Sequence, residues 1–170
     1  MITRCAIGQD SHRFAAPDSG RPLRLAGITI PGCPGLEGNS DADVILHAVT
    51  NAVSGITGRN ILGRVADELC RSGITDSSAY LKLALEDLYQ KPGRRPLHLS
   101  VSVEARRPLL APHIPAMRAA LARLLGLTEA DIGLTATSGE GLTGPGRGEG
   151  IAVLAILTVV EDPCDSFPGM

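Results

Sequence analysis

Aromatic residues are the scarcest class in this 170-residue chain: it has two Tyr, two Phe and no Trp. Base-stacking platforms for single-stranded nucleic acid need several rings close together, so a polymer-binding surface of that kind is excluded. Charge of one sign is also missing. Sixteen Lys and Arg against eighteen Asp and Glu leave a formal net charge of −2, with no basic surplus for a polyanion. No apolar run reaches the roughly 18–20 residues needed to cross a bilayer; the ten residues Ile151–Val160 have strand length. The N-terminus shows no basic segment leading into an apolar one, so no secretory signal is expected. Cys5, Cys33, Cys70 and Cys164 are scattered, without a CxxC pair, which points to free thiols in a reducing, cytoplasmic setting.

Backbone punctuation is abundant by contrast, with 20 Gly and 12 Pro. The length suits a single domain spanning 1–170, with 162–170 expected as a frayed polar tail. Arg4–Phe14 reads as a strand, and Leu23–Ile30 as two short runs around Gly27, a hairpin or bulge. Pro31–Gly38 reads as loop. Ser40 is expected to cap a helix whose apolar seam is Val44, Ile45, Ala48, Val49, Ala52, Val53 and Ile56. Asp43, His47, Thr50, Asn51 and Ser54 form its polar stripe.

Residues 58–75 lack clear periodicity and suggest a mobile loop. Ser77 is expected to cap a second helix, seamed by Leu81, Ala84, Leu85 and Leu88, that ends at Lys91-Pro-Gly. A strand at Leu97–Glu104, a helix at Pro112–Gly126, and strands at Ile132–Ser138 and Gly150–Val160 complete the order. The whole predicts an α+β fold, a mixed β-sheet with its helices packed on one face.

Three features carry candidate chemistry. Asp10 and His12 are two apart on a strand, so both point to one face and can share a cation. His47 lies one helical turn after Asp43 on the polar stripe, where capping explains the acid but not the imidazole. Together the three make a zinc set with a fourth position left for substrate, or an accidental trio among four histidines. The third feature is Ser138–Gly150, with six glycines among its last twelve residues. Such a loop lets amides approach an anion, Arg147 can fork onto phosphate, and Glu140 can hold a hard cation such as Mg2+. A flexible hairpin is the plainer alternative. His98, His113 and the pair Arg106-Arg107 read as structural or solvated.

Four separated blocks then carry a resemblance: Gly8-Gln-Asp-Ser-His-Arg-Phe14, Asn39-Ser-Asp-Ala-Asp-Val-Ile-Leu-His47, Pro112-His-Ile-Pro-Ala-Met-Arg118 and Gly146-Arg-Gly-Glu-Gly150. In order and over residues 7–160, the chain resembles the 2-C-methyl-D-erythritol 2,4-cyclodiphosphate synthase family. The resemblance implies a homotrimer with sheets facing the threefold axis and active sites between subunits. It implies cyclisation of 4-diphosphocytidyl-2-C-methyl-D-erythritol 2-phosphate with release of CMP, in non-mevalonate isoprenoid synthesis.

By the family pattern Asp10, His12 and His47 hold Zn2+, and Glu140 holds a second divalent ion, Mg2+ or Mn2+. Asn39, Asp43 and Ser138 are the implied catalytic positions. Substrate contacts are implied at Asp10, His12, Asn39, Ser40, Gly63, Ala105, Leu110, Ala136, Thr137, Ser138, Gly139, Glu140 and Arg147. Arg147 matches a position near the axis, where an isoprenoid diphosphate can bind.

Departures from the pattern are Asn39 in place of a histidine, Leu109 in place of a lysine and Gly144 in place of a phenylalanine. No lysine occurs between Asn60 and Ala79, and Arg64, Arg71 and Arg106 are the candidate replacements. Two other readings use the same residues: a trimeric protein that binds metal and nucleotide or isoprenoid diphosphate without turnover, and a zinc phosphohydrolase with Asp43 as water base.

Overall fold

The alternation Ile151, Val153, Ala155, Leu157, Val159 sends every second side chain of the last strand to one face, and all five are buried. In the computed structural model, which describes residues 1–162, this strand is β6 (Gly150–Glu161). It lies between β1 (Ile2–Arg13) and β4 (Arg94–Glu104), antiparallel to both, and β5 (Ile132–Thr137) pairs in parallel with β4. The sheet order is β1-β6-β4-β5, so β1 and β5 are its two edges. A separate hairpin is formed by β2 (Pro22–Leu25) and β3 (Ile28–Pro34), turning on Ala26 and Gly27, both at positive φ. The strand therefore runs on into the segment expected as loop.

The helices are α1 (Val44–Thr57), α2 (Arg64–Arg71), α3 (Ser77–Tyr89) and α4 (Ile114–Leu125). The α+β arrangement is as expected. Three local expectations are corrected. Residues 58–75 are not all loop: Val65, Ala66, Leu69 and Cys70 have helical spacing, but a two-turn helix with only Ala66 buried leaves a faint pattern. The cap of α1 is Asp43, which accepts from the Leu46 amide, while Ser40 sits further out and accepts from Ala42. The cap of α3 is Asp76, accepting from the Ser78 amide, which makes Ser77 the first helical residue. The tail beyond Asp162 lies outside the described residues; Asp162 itself donates its amide to Gly93 O at 3.0 Å.

Helix α1 rests directly on β1, and glycine is the reason it can. A Cβ at Gly8 would lie 1.9 Å from Ala48 O and 2.4 Å from Ala52 N, both backbone atoms. This contact carries the polar stripe of α1 to the side chains of β1. The opposite face of the sheet is uncovered in the single chain. Ile7 pairs with Ile156 and Gln9 with Leu154, and Ile7, Leu154 and Ile156 are each 45–64% exposed.

At the far end of the sheet, buried Glu161 accepts from Lys91 Nζ at 2.7 Å, Arg94 Nη2 at 2.5 Å and Arg4 Nε at 2.8 Å. Led by the Lys91 hydrogen bond and joined by the two arginines against the cost of burial, these cations push its carboxyl down to about 2. Among the described residues no helix is long and apolar enough to cross a membrane. Cys5, Cys33 and Cys70 are all free thiols.

Candidate metal centre

Asp10 and His12 emerge on the helix-facing side of β1, and His47 descends to them from the second turn of α1. Asp10 Oδ2 lies 3.0 Å from His12 Nε2 and 2.9 Å from His47 Nδ1, and the two nitrogens are 3.2 Å apart. These are the spacings a small cation imposes: donors about 2.0–2.1 Å from a tetrahedral zinc are about 3.3 Å from one another. Two imidazole nitrogens converging on one carboxylate oxygen suit a metal better than a chain of ordinary hydrogen bonds, because each ring can turn a lone pair inward. The residues therefore fit a divalent metal, and the grouping Asp10, His12 and His47 is the only such set among the described residues.

Burial alone would raise the Asp10 carboxyl. The hydrogen bonds from His12 and His47, and their charge, outweigh it and hold Asp10 well below the usual carboxylate range. The Asp10 hydrogen bond raises His12 in turn, opposed by desolvation. An anionic acceptor beside two nitrogen donors is the charge set that a dication neutralises.

The cluster opens into a cavity of about 310 Å3, also lined by Gly38, Asn39, Ser40, Leu62, Gly63 and Tyr80. Asn39, Ser40 and Gly63 are thus beside the trio. Ala66, Asp67 and Cys70, on one side of α2, line it as well. Sequence reasoning missed them because it missed the helix. It also missed Arg21, whose guanidinium donates to Gly38 O at 2.7 Å and to Ser40 O, tying down the wall beside His12.

Asp43 is not in this cavity. It is fully buried, and its two oxygens accept the amides of Ala26, Gly27 and Leu46 at 2.9, 2.6 and 3.0 Å. Desolvation raises its carboxyl, opposed by those amides. In place of the expected water base, Asp43 has a structural role: it starts α1 and locks the β2–β3 turn against it, with both oxygens engaged by backbone amides.

Ala105, Leu110, Ala136, Thr137 and Ser138 come together elsewhere, around a cavity of about 200 Å3 that includes Arg106, Pro108 and Leu109. It lies at the β5 edge, three inter-strand steps from β1, or about 14 Å at 4.7–4.9 Å per step. Ser138 Oγ donates to Glu140 Oε1 at 2.9 Å, and Glu140 stands at φ 50°, turning its carboxylate out of the chain path. Arg147 Nε donates to Glu149 Oε1 at 2.8 Å. Glu104 accepts from Thr143 Oγ1, and that oxygen accepts the Gly146 amide, so the glycine loop is pinned to the end of β4. Arg107 lies 4.6 Å over the Phe14 ring, a stacking role rather than a phosphate clamp. Arg64 is engaged by Glu68 at 3.0 Å, whereas Arg106 faces the second cavity.

Residues 3–160 match the model of the YgbB family. The chain belongs to this family. A relative from Chlamydia trachomatis serovar L2b, named 2-C-methyl-D-erythritol 2,4-cyclodiphosphate synthase, is 47% identical over 161 residues, which are 94% of this chain and 89% of the relative. A solved synthase of the same name, in a CDP-bound form, superposes with a TM-score of 0.80 at 31% identity, covering 92% of this chain and all of the other. A bifunctional protein from Campylobacter jejuni gives a TM-score of 0.81 at 32% identity over 93% of this chain, which is 42% of that longer chain. The YgbB match covers both cavities and every candidate site residue named above.

Proposed function

We propose that this chain is a lyase that cyclises 4-diphosphocytidyl-2-C-methyl-D-erythritol 2-phosphate to 2-C-methyl-D-erythritol 2,4-cyclodiphosphate and releases CMP. The observation that carries the reading is the convergence of Asp10, His12 and His47 in a family whose relatives bear that name. The substrate's 2-phosphate oxygen attacks the β-phosphorus, a P–O bond forms, the anhydride to the α-phosphate breaks, and CMP leaves with that electron pair. No side-chain nucleophile is needed, so the protein's task is positioning and charge neutralisation.

Asp10, His12 and His47 would hold Zn2+, which when bound supplies a Lewis acid for a phosphate oxygen. Asn39 and Ser40 offer uncharged hydrogen bonds on the same wall. Ala105, Leu110, Ala136 and Thr137 form an aliphatic pocket for cytosine, whose polar edge would be met by backbone groups because no aromatic ring lines that cavity. Ser138 and Glu140 adjoin the pocket, and Glu140 is the expected holder of the second divalent ion, Mg2+ or Mn2+.

The two cavities lie at opposite edges of one sheet, about 14 Å apart by strand count. This supports a homotrimer in which the β5 edge of one subunit meets the β1 edge of the next, with the bare face carrying Ile7, Leu154 and Ile156 turned to the axis. Arg147 and the glycine loop would then lie near the axis, where an anionic ligand such as an isoprenoid diphosphate can be held. The free thiols suit a cytoplasmic setting.

Purified protein given Zn2+, Mg2+ and the diphosphocytidyl substrate should yield CMP and cyclodiphosphate in equal amounts. Bound nucleotide with no CMP above the blank would overturn the reading in favour of a binding protein. CMP with a linear diphosphate would make the protein a hydrolase.

A further inference from the structure

His47 reaches the ligand cluster through Nδ1; its other ring nitrogen points into the protein. Nε2 lies 2.8 Å from Ser77 Oγ, on the first turn of α3. Ser77 is fully buried, and its hydroxyl donates to Asp41 Oδ1. A serine hydroxyl has one proton to give, so with that proton on Asp41 the oxygen can only accept from Nε2. With a metal bound, the ring proton of His47 is thereby placed on Nε2, and Nδ1 gives the metal the lone pair that otherwise carries the proton donated to Asp10. Ser40 Oγ is a poorer alternative partner at 3.4 Å, and it already accepts the Ala42 amide.

Asp41 is itself held in place. Its Oδ1 accepts the amides of Asp43 at 3.2 Å and Ser77 at 3.3 Å. Capping does not account for Ser77, because Asp76 already caps α3. We propose that Asp41 and Ser77 are positioning residues that fix the tautomer and ring orientation of His47 for its metal. The carboxylate–hydroxyl–imidazole chain makes the ring a better donor and removes its freedom to turn away. The proposal rests on the metal-centre reading, and extends it to two residues that touch neither metal nor substrate.

The test measures zinc affinity by chelator competition in the wild type, Ser77→Ala and Asp41→Asn, with thermal unfolding of each metal-free protein alongside. Ring-nitrogen NMR of the zinc-loaded proteins follows the Nε2 proton of His47. Ser77→Ala should bind zinc about 10–100-fold more weakly, the usual cost of losing such a partner. Its His47 Nε2 proton should be lost to solvent exchange while the ring signal of His12 persists. Asp41→Asn, which keeps the shape and an acceptor oxygen, should move both readouts the same way by less, and decides the matter if Ser77→Ala folds poorly.

Zinc affinity within about twofold of wild type with the His47 proton retained overturns the proposal. So does equal loss of both histidine signals together with a lower unfolding temperature, which would mark a packing defect. A wild type that binds no stoichiometric zinc removes the metal centre itself, and that is read before any variant is compared.

Discussion

The β1 edge and the β5 edge of the same sheet carry cavities built on different principles. At β1 the chemistry comes from polar and charged side chains: Asp10, His12 and His47 are 25%, 22% and 10% exposed and converge on one another. At β5 the walls are aliphatic, Ala105, Leu110 and Ala136, and the polar groups are short side chains and the backbone of a glycine loop. The first region is complete in one chain, because a metal site needs only a few ångströms of agreement. The second is a shaped pocket whose counterpart lies about 14 Å away across the sheet. One fold thus supplies a charged cluster at one edge and an aliphatic pocket at the other, and the proposed trimer is what would bring the unlike halves together.

The largest expected effect separates the halves at the metal side. His47→Ala should abolish stoichiometric zinc and lower turnover by about 10^3-fold or more, as expected when several kcal/mol of charge stabilisation is lost. CMP binding at the β5 cavity should remain in a calorimetric titration. A full zinc ion retained by the variant would show that the trio is the wrong set.

A smaller effect tests whether the site is divided between chains. Ile156→Glu places a charge on the bare face, and an uncompensated buried charge costs about 3–5 kcal/mol. Light scattering should show monomers that keep their zinc, with activity down by at least about 100-fold. Monomers with undiminished activity would mean that one chain holds the whole site.

The smallest effect concerns neither cavity and serves as the control. The Glu161 carboxyl is held down to about 2 by Lys91, Arg94 and Arg4, against an ordinary value of 4.5. Because the folded value is the lower one, its stabilisation is present above about pH 4.5 and is lost as pH falls towards 2. Glu161→Gln should flatten that part of the unfolding-temperature profile and leave zinc affinity at neutral pH unchanged. A steep profile retained by the variant would assign the acid sensitivity to other carboxylates.

Much of the fold was legible in residue pattern, since period-two and helical spacing report directly which faces are buried. The long strands, the seams of α1, α3 and α4, and the pairing of Asp10 with His12 all follow from that. Helix α2 did not, because two turns against a cavity bury too little to leave a strong stripe. The caps of α1 and α3 were displaced because Ser40, Asp41, Asp43, Asp76 and Ser77 are all competent cap residues, and only the path of the chain selects among them.

The scarcity of aromatic rings, the short apolar runs and the order of the motifs were settled by the sequence itself, because they depend on residue identity and local spacing. The tertiary structure alone decided which polar residues gathered into a candidate ligand set and which became struts. Asp43 and His47 share one helical stripe, yet the β2–β3 turn claims both oxygens of Asp43, while Gly8 lets α1 settle close enough for His47 to meet Asp10. A side chain's role follows from the partners that packing leaves to it, and those partners come from distant parts of the chain.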